Sequence, residues 1–140
     1  MRVILYTRPD GGLSVVRPVH SEQDAWNRLP MDAINPRYAD SAEIPADRTF
    51  RNAWADANGR VEHDIEKCRA IHRDALRKMR APLFAPLERA QRTALAIGDT
   101  AKAKEIEANL QALRDATDDP RIDAANTPEE LKAVIPECLR

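Results

Sequence analysis

From residue 60 to its end the chain has one glycine, Gly98, and that glycine stands between two long stretches of helical periodicity. A helix that stops at a glycine and restarts one or two residues later leaves a connection so short that its two arms must be antiparallel neighbours. Asp99 or Thr100 is the expected start of the second arm. In the first arm, at about 100° per residue from Ile65, the residues Val61, Cys68, His72, Ala75, Leu76 and Met79 gather on one side, with Arg69, Arg73, Arg77 and Arg80 on the flank beside it. Phe84, Leu87, Gln91, Ala94 and Leu95 carry an apolar face onward to Gly98. Pro82 and Pro86 each remove a backbone donor and crowd the preceding turn, so the arm is either kinked or broken there, and a kink is expected. Beyond Gly98, Ile106, Leu110, Leu113 and Thr117 repeat at spacings of four, three and four, the seam of a helix that packs along a partner in coiled-coil fashion. Asp118-Asp119-Pro120 is expected to end it. Thr127-Pro128-Glu129-Glu130 then places a capping hydroxyl, a first-turn proline and an acid in the favoured order, opening a last short helix to about Ile135.

The front of the chain is different. All six aromatic residues lie within the first 84 positions, and the composition shifts toward alanine and charge near Val61. RVILYT and LSVV are β-favouring runs separated by RPDGG, in which Pro9 and Asp10 suit a type I turn and a following glycine can take positive φ, so a hairpin over about 2–17 is expected. Ser21 with Asp24 three residues later resembles a capping box that opens the short helix EQDAWNRL, stopped by Pro30, with Trp26 as its anchor. The prolines from Pro30 to Pro45 predict a traversing loop. TFRNAW alternates with period two and predicts a third strand carrying Phe50, Asn52 and Trp54 on one side. Asn58-Gly59 is a strong turn dipeptide, after which Val61 either begins a return strand or leads into the helix. The reading is α+β: a small antiparallel β module with one short helix over residues 1–61, then a long kinked helical hairpin and a short terminal helix over 62–140.

Chemistry is sparse. His63 and His72, nine residues apart on one helix, are half a turn out of phase and cannot share a metal, and the spacing of His20, Cys68 and Cys138 matches no zinc pattern. His63 beside Asp64 is a possible base, but a solvated helix start explains it, and His72 reads as a satisfied interface histidine. No phosphate-loop, dinucleotide, nucleophile-elbow or zinc-protease motif is present, so neither catalytic residues nor a cofactor nor a metal is expected, and a small hydrolase built on His63 and Asp64 is a weak alternative. No run approaches the ~18 apolar residues of a membrane span, and a soluble chain without an export signal, with Cys68 and Cys138 as reduced thiols, is expected. The 22 basic and 23 acidic side chains nearly cancel, but residues 67–92 hold eight basic groups against two acidic ones, while 99–140 hold six against ten. The basic flank is either a phosphate-contacting face, in a nucleic-acid-binding protein, or a solvated face or salt-bridge lattice; without interleaved aromatics the second is favoured and duplex binding should be weak. Only 31 of 140 residues are Val, Ile, Leu, Met or Phe, a thin supply for a free helical hairpin. Its stripe (Ile65, Cys68, His72, Leu76, Met79, Ile106, Leu110 and Leu113) is therefore the expected protein interface, through self-association or docking, with the aromatic patch at Phe50 and Trp54 as the second candidate.

Several strings point further. ILYTRPDGGLSVVRP, IPADRTFRNAW, VEHDIEK, IHRDALRKMRAPLFAPLERAQ, GDTAKAKEI and LRDATDDPRIDAANTPEELKAVIP, in that order, resemble small proteins encoded in the tail regions of tailed bacteriophages and prophages. The resemblance covers nearly the whole chain. It implies a β-rich front and a long helical back ending in a DPxIDAAxTPEELK pattern, and a non-enzymatic tail, tail-fibre or tail-assembly component that contacts other tail proteins, is a homo-oligomer, and resides in the virion tail after assembly in the host cytoplasm. An assembly chaperone that leaves before maturation is the alternative in the same setting.

Overall fold

The computed structural model describes residues 1–140, and the chain divides into two compact units, Met1–Cys68 and Arg69–Arg140. In the first, β1 (Arg2–Thr7) and β2 (Leu13–Val16) form the expected hairpin, with Tyr6 opposite Ser14 and Thr7 opposite Leu13. Its turn follows from the sequence: Gly11 takes φ +84°, its N–H donates to the Arg8 carbonyl at 2.9 Å, and Asp10 Oδ1 accepts from the Gly12 N–H at 2.8 Å. A Cβ at Gly12 would meet the Arg8 guanidinium folded across the turn, a flexible side-chain end that would have to shift. Helix α1 (Glu22–Asn27) starts on Ser21, whose hydroxyl accepts from the Asp24 N–H at 3.0 Å, and stops two residues short of the expected Leu29.

The expected loop from Pro30 to Pro45 instead contains a third strand, β3 (Ile34–Asp40), antiparallel to β1, so the sheet order is β2-β1-β3. Pro36 does not forbid it because β3 is an edge strand, where a missing N–H can face away from the ladder; Asn35, at φ +47°, sits where the register shifts opposite Leu5 and Thr7. Tyr38 of β3 stacks on Trp26 of α1 with ring centroids 4.9 Å apart, and Arg2 stands 4.1 Å over the Tyr38 ring. TFRNAW is also not the strand its alternation suggested. Residues Arg51–Ala53 make a 3-10 turn, and the strand β4 begins only at Trp54 (Trp54–Ala57), pairing with β5 (Arg60–His63) through an Asn58-Gly59 turn with both residues at positive φ. A 3-10 turn repeats every three residues, so Phe50 and Ala53 go inward together and Asn52 is turned out. Val3, Leu5, Leu13, Ala39 and Trp54 close the core of this unit, with Val15, Ile44 and Val61 packed against them. Arg37 of β3 clamps Asp56 of β4 with two bonds of 2.8 and 3.1 Å, and the Asp56 carboxylate raises the Arg37 pKa above its ordinary value.

Helix α2 (Ile65–Ala96) is one continuous helix with Pro82 and Pro86 inside it, so the prolines do not break it. Gly98 takes φ +76° as the stop, and Asp99 caps α3 (Thr100–Asp115) by accepting from the Lys102 N–H at 3.1 Å. The two arms pack as neighbours: Ala94 meets Ala103, Ile106 and Leu110, with Phe84 and Leu87 beside them, and Gln91 donates to Glu107 at 2.8 Å. Asp118-Asp119-Pro120 ends α3 through a 3-10 turn, Ala116–Asp118, and, unexpectedly, starts α4 (Pro120–Ala124), because Pro120 is suited to a first turn and Asp119 caps it through the Arg121 N–H at 3.0 Å. Helix α5 (Pro128–Ala133) begins on Thr127 as expected but ends two residues before Ile135.

Candidate functional site

The basic flank of α2 has a use that charge counting missed. Arg69 donates to the Ala125 carbonyl at 2.8 Å, Arg73 to the Thr117 carbonyl at 3.2 Å, and Arg80 to the Leu113 and Arg114 carbonyls at 3.0 and 2.9 Å. These acceptors are at the ends of α3, the 3-10 turn after it and α4, where carbonyls run short of intrahelical donors; the Leu113 carbonyl also accepts from the Ala116 N–H. Arg73 adds an ion pair to a later element, 2.7 Å to Asp123. The expected solvated face or salt-bridge lattice is thus chiefly a row of guanidinium caps, and three of its arginines are occupied by the protein's own backbone.

The predicted interface stripe is, in large part, interior. Cys68, His72, Leu76, Ile106, Leu110 and Leu113 are all buried within the chain, and Ile65 is half-buried. His72 Nε2 lies 2.8 Å from the Val134 carbonyl, so that nitrogen carries a proton and donates to the C-terminal end of α5 rather than to a partner. Burial pushes the Cys68 thiol pKa up, with the Asp64 charge adding to it, and both cysteines are free. Met79 corrects the expectation in the other direction: it is 42% exposed and lies outside the seam. Phe50 and Trp54 are 2% and 4% exposed, so the aromatic patch is core and offers no docking surface. Both errors share a cause. Apolar periodicity identifies a face that must be covered, and it does not say whether the cover comes from the same chain.

What remains outside is a row one step further along α2. At about 100° per residue, Met79, Leu83, Pro86 and Ala90 fall within about 60° of one another. Met79 and Leu83 are 42% and 40% exposed although α3 already covers the adjacent face of the same helix. Beside this row is a groove of about 350 Å³ between the arms, lined by Leu83, Pro86, Leu87, Asn109, Leu113 and Cys138. Cys138 reaches it because the terminal turn Glu137–Leu139 folds back on α3, with Sγ 3.5 Å from the Ala112 carbonyl. The spacing of four, three and four was legible in the sequence, but Pro86 within it, with Pro82 beside it, read as a kink signal and concealed the face.

No group of three or more His, Cys, Asp or Glu side chains converges as a metal site would require. No helix is long and apolar enough to cross a membrane. Comparison with protein families, with characterised proteins and with solved structures gave no match.

Proposed function

We propose that this chain is a non-enzymatic component of a bacteriophage tail, held in its assembly by protein-protein contacts of its helical unit. The reading joins the tail-protein resemblance of the ordered sequence strings to one observation that carries it. Helix α2 keeps an apolar row, Met79, Leu83 and Pro86, in solvent after α3 has covered its neighbouring face. An exposed row beside an apolar groove is the usual mark of a protein contact. The partner is another tail or tail-fibre protein or a second copy of this chain. The three occupied arginines of α2 weigh against the nucleic-acid reading, since a guanidinium that caps a carbonyl has fewer donors to offer a phosphate.

Leu83→Asp tests it. The variant should melt like the wild type, since Leu83 is exposed, yet be missing from purified particles that contain wild-type protein as a stoichiometric 15.7 kDa component by mass spectrometry. If the wild type is absent from mature particles but required for their formation, the assembly-chaperone alternative replaces the virion one. A wild type that sediments as a monomer at all concentrations, together with normal incorporation of Leu83→Asp, overturns the interface.

A further inference from the structure

The first unit carries a second, chemically different surface. Strand β2 is an edge of its sheet, and all four of its residues, Leu13 to Val16, line one cavity of about 450 Å³. Successive side chains of a strand point to opposite faces, so a cavity touching all four runs along the open edge instead of lying on one face. The hairpin register says which backbone groups are free there. Arg8 N–H donates to the Gly12 carbonyl at 2.7 Å, and the alternation of an antiparallel ladder then turns the N–H and C=O of Leu13 and Val15 away from β1. The Leu13 carbonyl is taken by the Arg8 guanidinium at 2.8 Å, which closes the start of the edge, while Val15 and the chain beyond it stay open.

Four arginines line this cavity, Arg8, Arg17, Arg48 and Arg51, and no carboxylate does. Arg17 and Arg51 make no ion pair, and Arg48 stands 6.0 Å over the Trp54 ring. Trp54, in the same wall, buries its Nε1 without an acceptor. Arg8 is answered by Asp10 at 3.4 Å, but the surface otherwise supplies positive charge along an unpaired strand with no carboxylate in its lining.

We propose that the outer edge of β2 takes up an extended acidic segment of a partner protein as an added strand, with main-chain bonds to Val15 and side-chain carboxylates on Arg17, Arg48 and Arg51. Strand addition gives affinity through the backbone and specificity through alternate side chains. A nucleic acid fits less well: it cannot supply alternating peptide donors and acceptors, and Trp54 is buried, leaving its ring unavailable for base stacking. The inference uses residues of the first unit only and does not depend on the helical groove.

The test uses the full-length protein and a fluorescent peptide alternating glutamate with threonine, read by anisotropy. Binding should exceed that of the lysine-threonine counterpart, and fall on the order of tenfold or more in an Arg48→Glu, Arg51→Glu variant, whose exposed substitutions leave the fold intact. Peptides N-methylated at alternate residues separate strand addition from simple charge attraction with the protein unchanged: one methylation register should abolish binding and the other should spare it. Equal binding by both registers, or displacement of the peptide by inorganic phosphate or single-stranded DNA at lower concentration than by unlabelled peptide, overturns the proposal.

Discussion

The two units solve the same shortage of apolar residues in different ways. Met1–Cys68 concentrates five of the six aromatic residues, and its elements are joined by ring contacts and by one two-bond Arg37–Asp56 clamp. Arg69–Arg140 has only Phe84 among the aromatics and ties the end of α3, the turn after it and α4 to α2 by arginines that donate to carbonyls. Aromatic burial is non-directional and tolerates a loose register, whereas a guanidinium cap fixes one side chain to one helix end. Small apolar residues and directional donors can therefore stand in for a large core, at the cost of making surface-looking arginines structural.

The comparison breaks most sharply at Leu110, 1% exposed at the centre of the α2–α3 contact. Leu110→Ala should cost about 2 to 5 kcal/mol. Trp26 and Trp54 both report on the first unit, so thermal unfolding followed by tryptophan fluorescence and by helical circular dichroism distinguishes the two regions. The helical signal should be lost at lower temperature while the fluorescence transition moves less; coincident shifts would mean that the units unfold as one.

A smaller effect sharpens the same contrast. Arg80→Leu strips donors from the Leu113 and Arg114 carbonyls and should destabilise the protein by about 1 to 2 kcal/mol, whereas Arg28→Leu, which loses only an exposed pair with Asp24, should cost no more than about 0.5 kcal/mol. Urea midpoints measured side by side decide it, and equal costs would refute the capping role.

How much of this was readable in the chain follows from the range of each interaction. Gly98 with Asp99, Thr127 with Glu130, and Asn58 with Gly59 are local signals whose partners sit within four residues, and the structure realises each of them. Strand β3 was hidden because Pro36 is a strand breaker everywhere except at an edge, and edge position is a property of the whole sheet. The arginine caps were hidden because their acceptors are backbone atoms 33 to 56 residues away, which leave no trace in side-chain pattern. The exposed row of Met79, Leu83 and Pro86 was present as spacing, but exposure depends on what α3 and the terminal turn cover.

The smallest effect concerns pH. Asp119 accepts from the Arg121 guanidinium at 2.7 Å and from the Arg121 N–H at 3.0 Å, and the guanidinium before all holds its carboxyl below the ordinary value of 3.8. The ionised form is the one that the fold favours. Its contribution is complete above the carboxylate range and is lost as pH falls through the lowered value. Asp119→Asn should melt a few tenths of a kcal/mol lower at neutral pH, and the two proteins should converge in acid; a gap that persists at low pH would assign the effect to something other than this charge.

The prolines of α2 leave a mark beyond their rings. Without an N–H at Pro82 and Pro86, the carbonyls of Lys78 and Pro82 lack the donor four residues on, along the helix flank beside the row of Met79, Leu83 and Pro86. Two such acceptors stand about 6 Å apart along the axis. For a partner docked on that row as proposed, a purely greasy strip would let it slide or reverse, whereas two acceptors at fixed spacing would favour a single offset and a single polarity. Imino acids that look like defects in the rod would then set where along it another chain can stop.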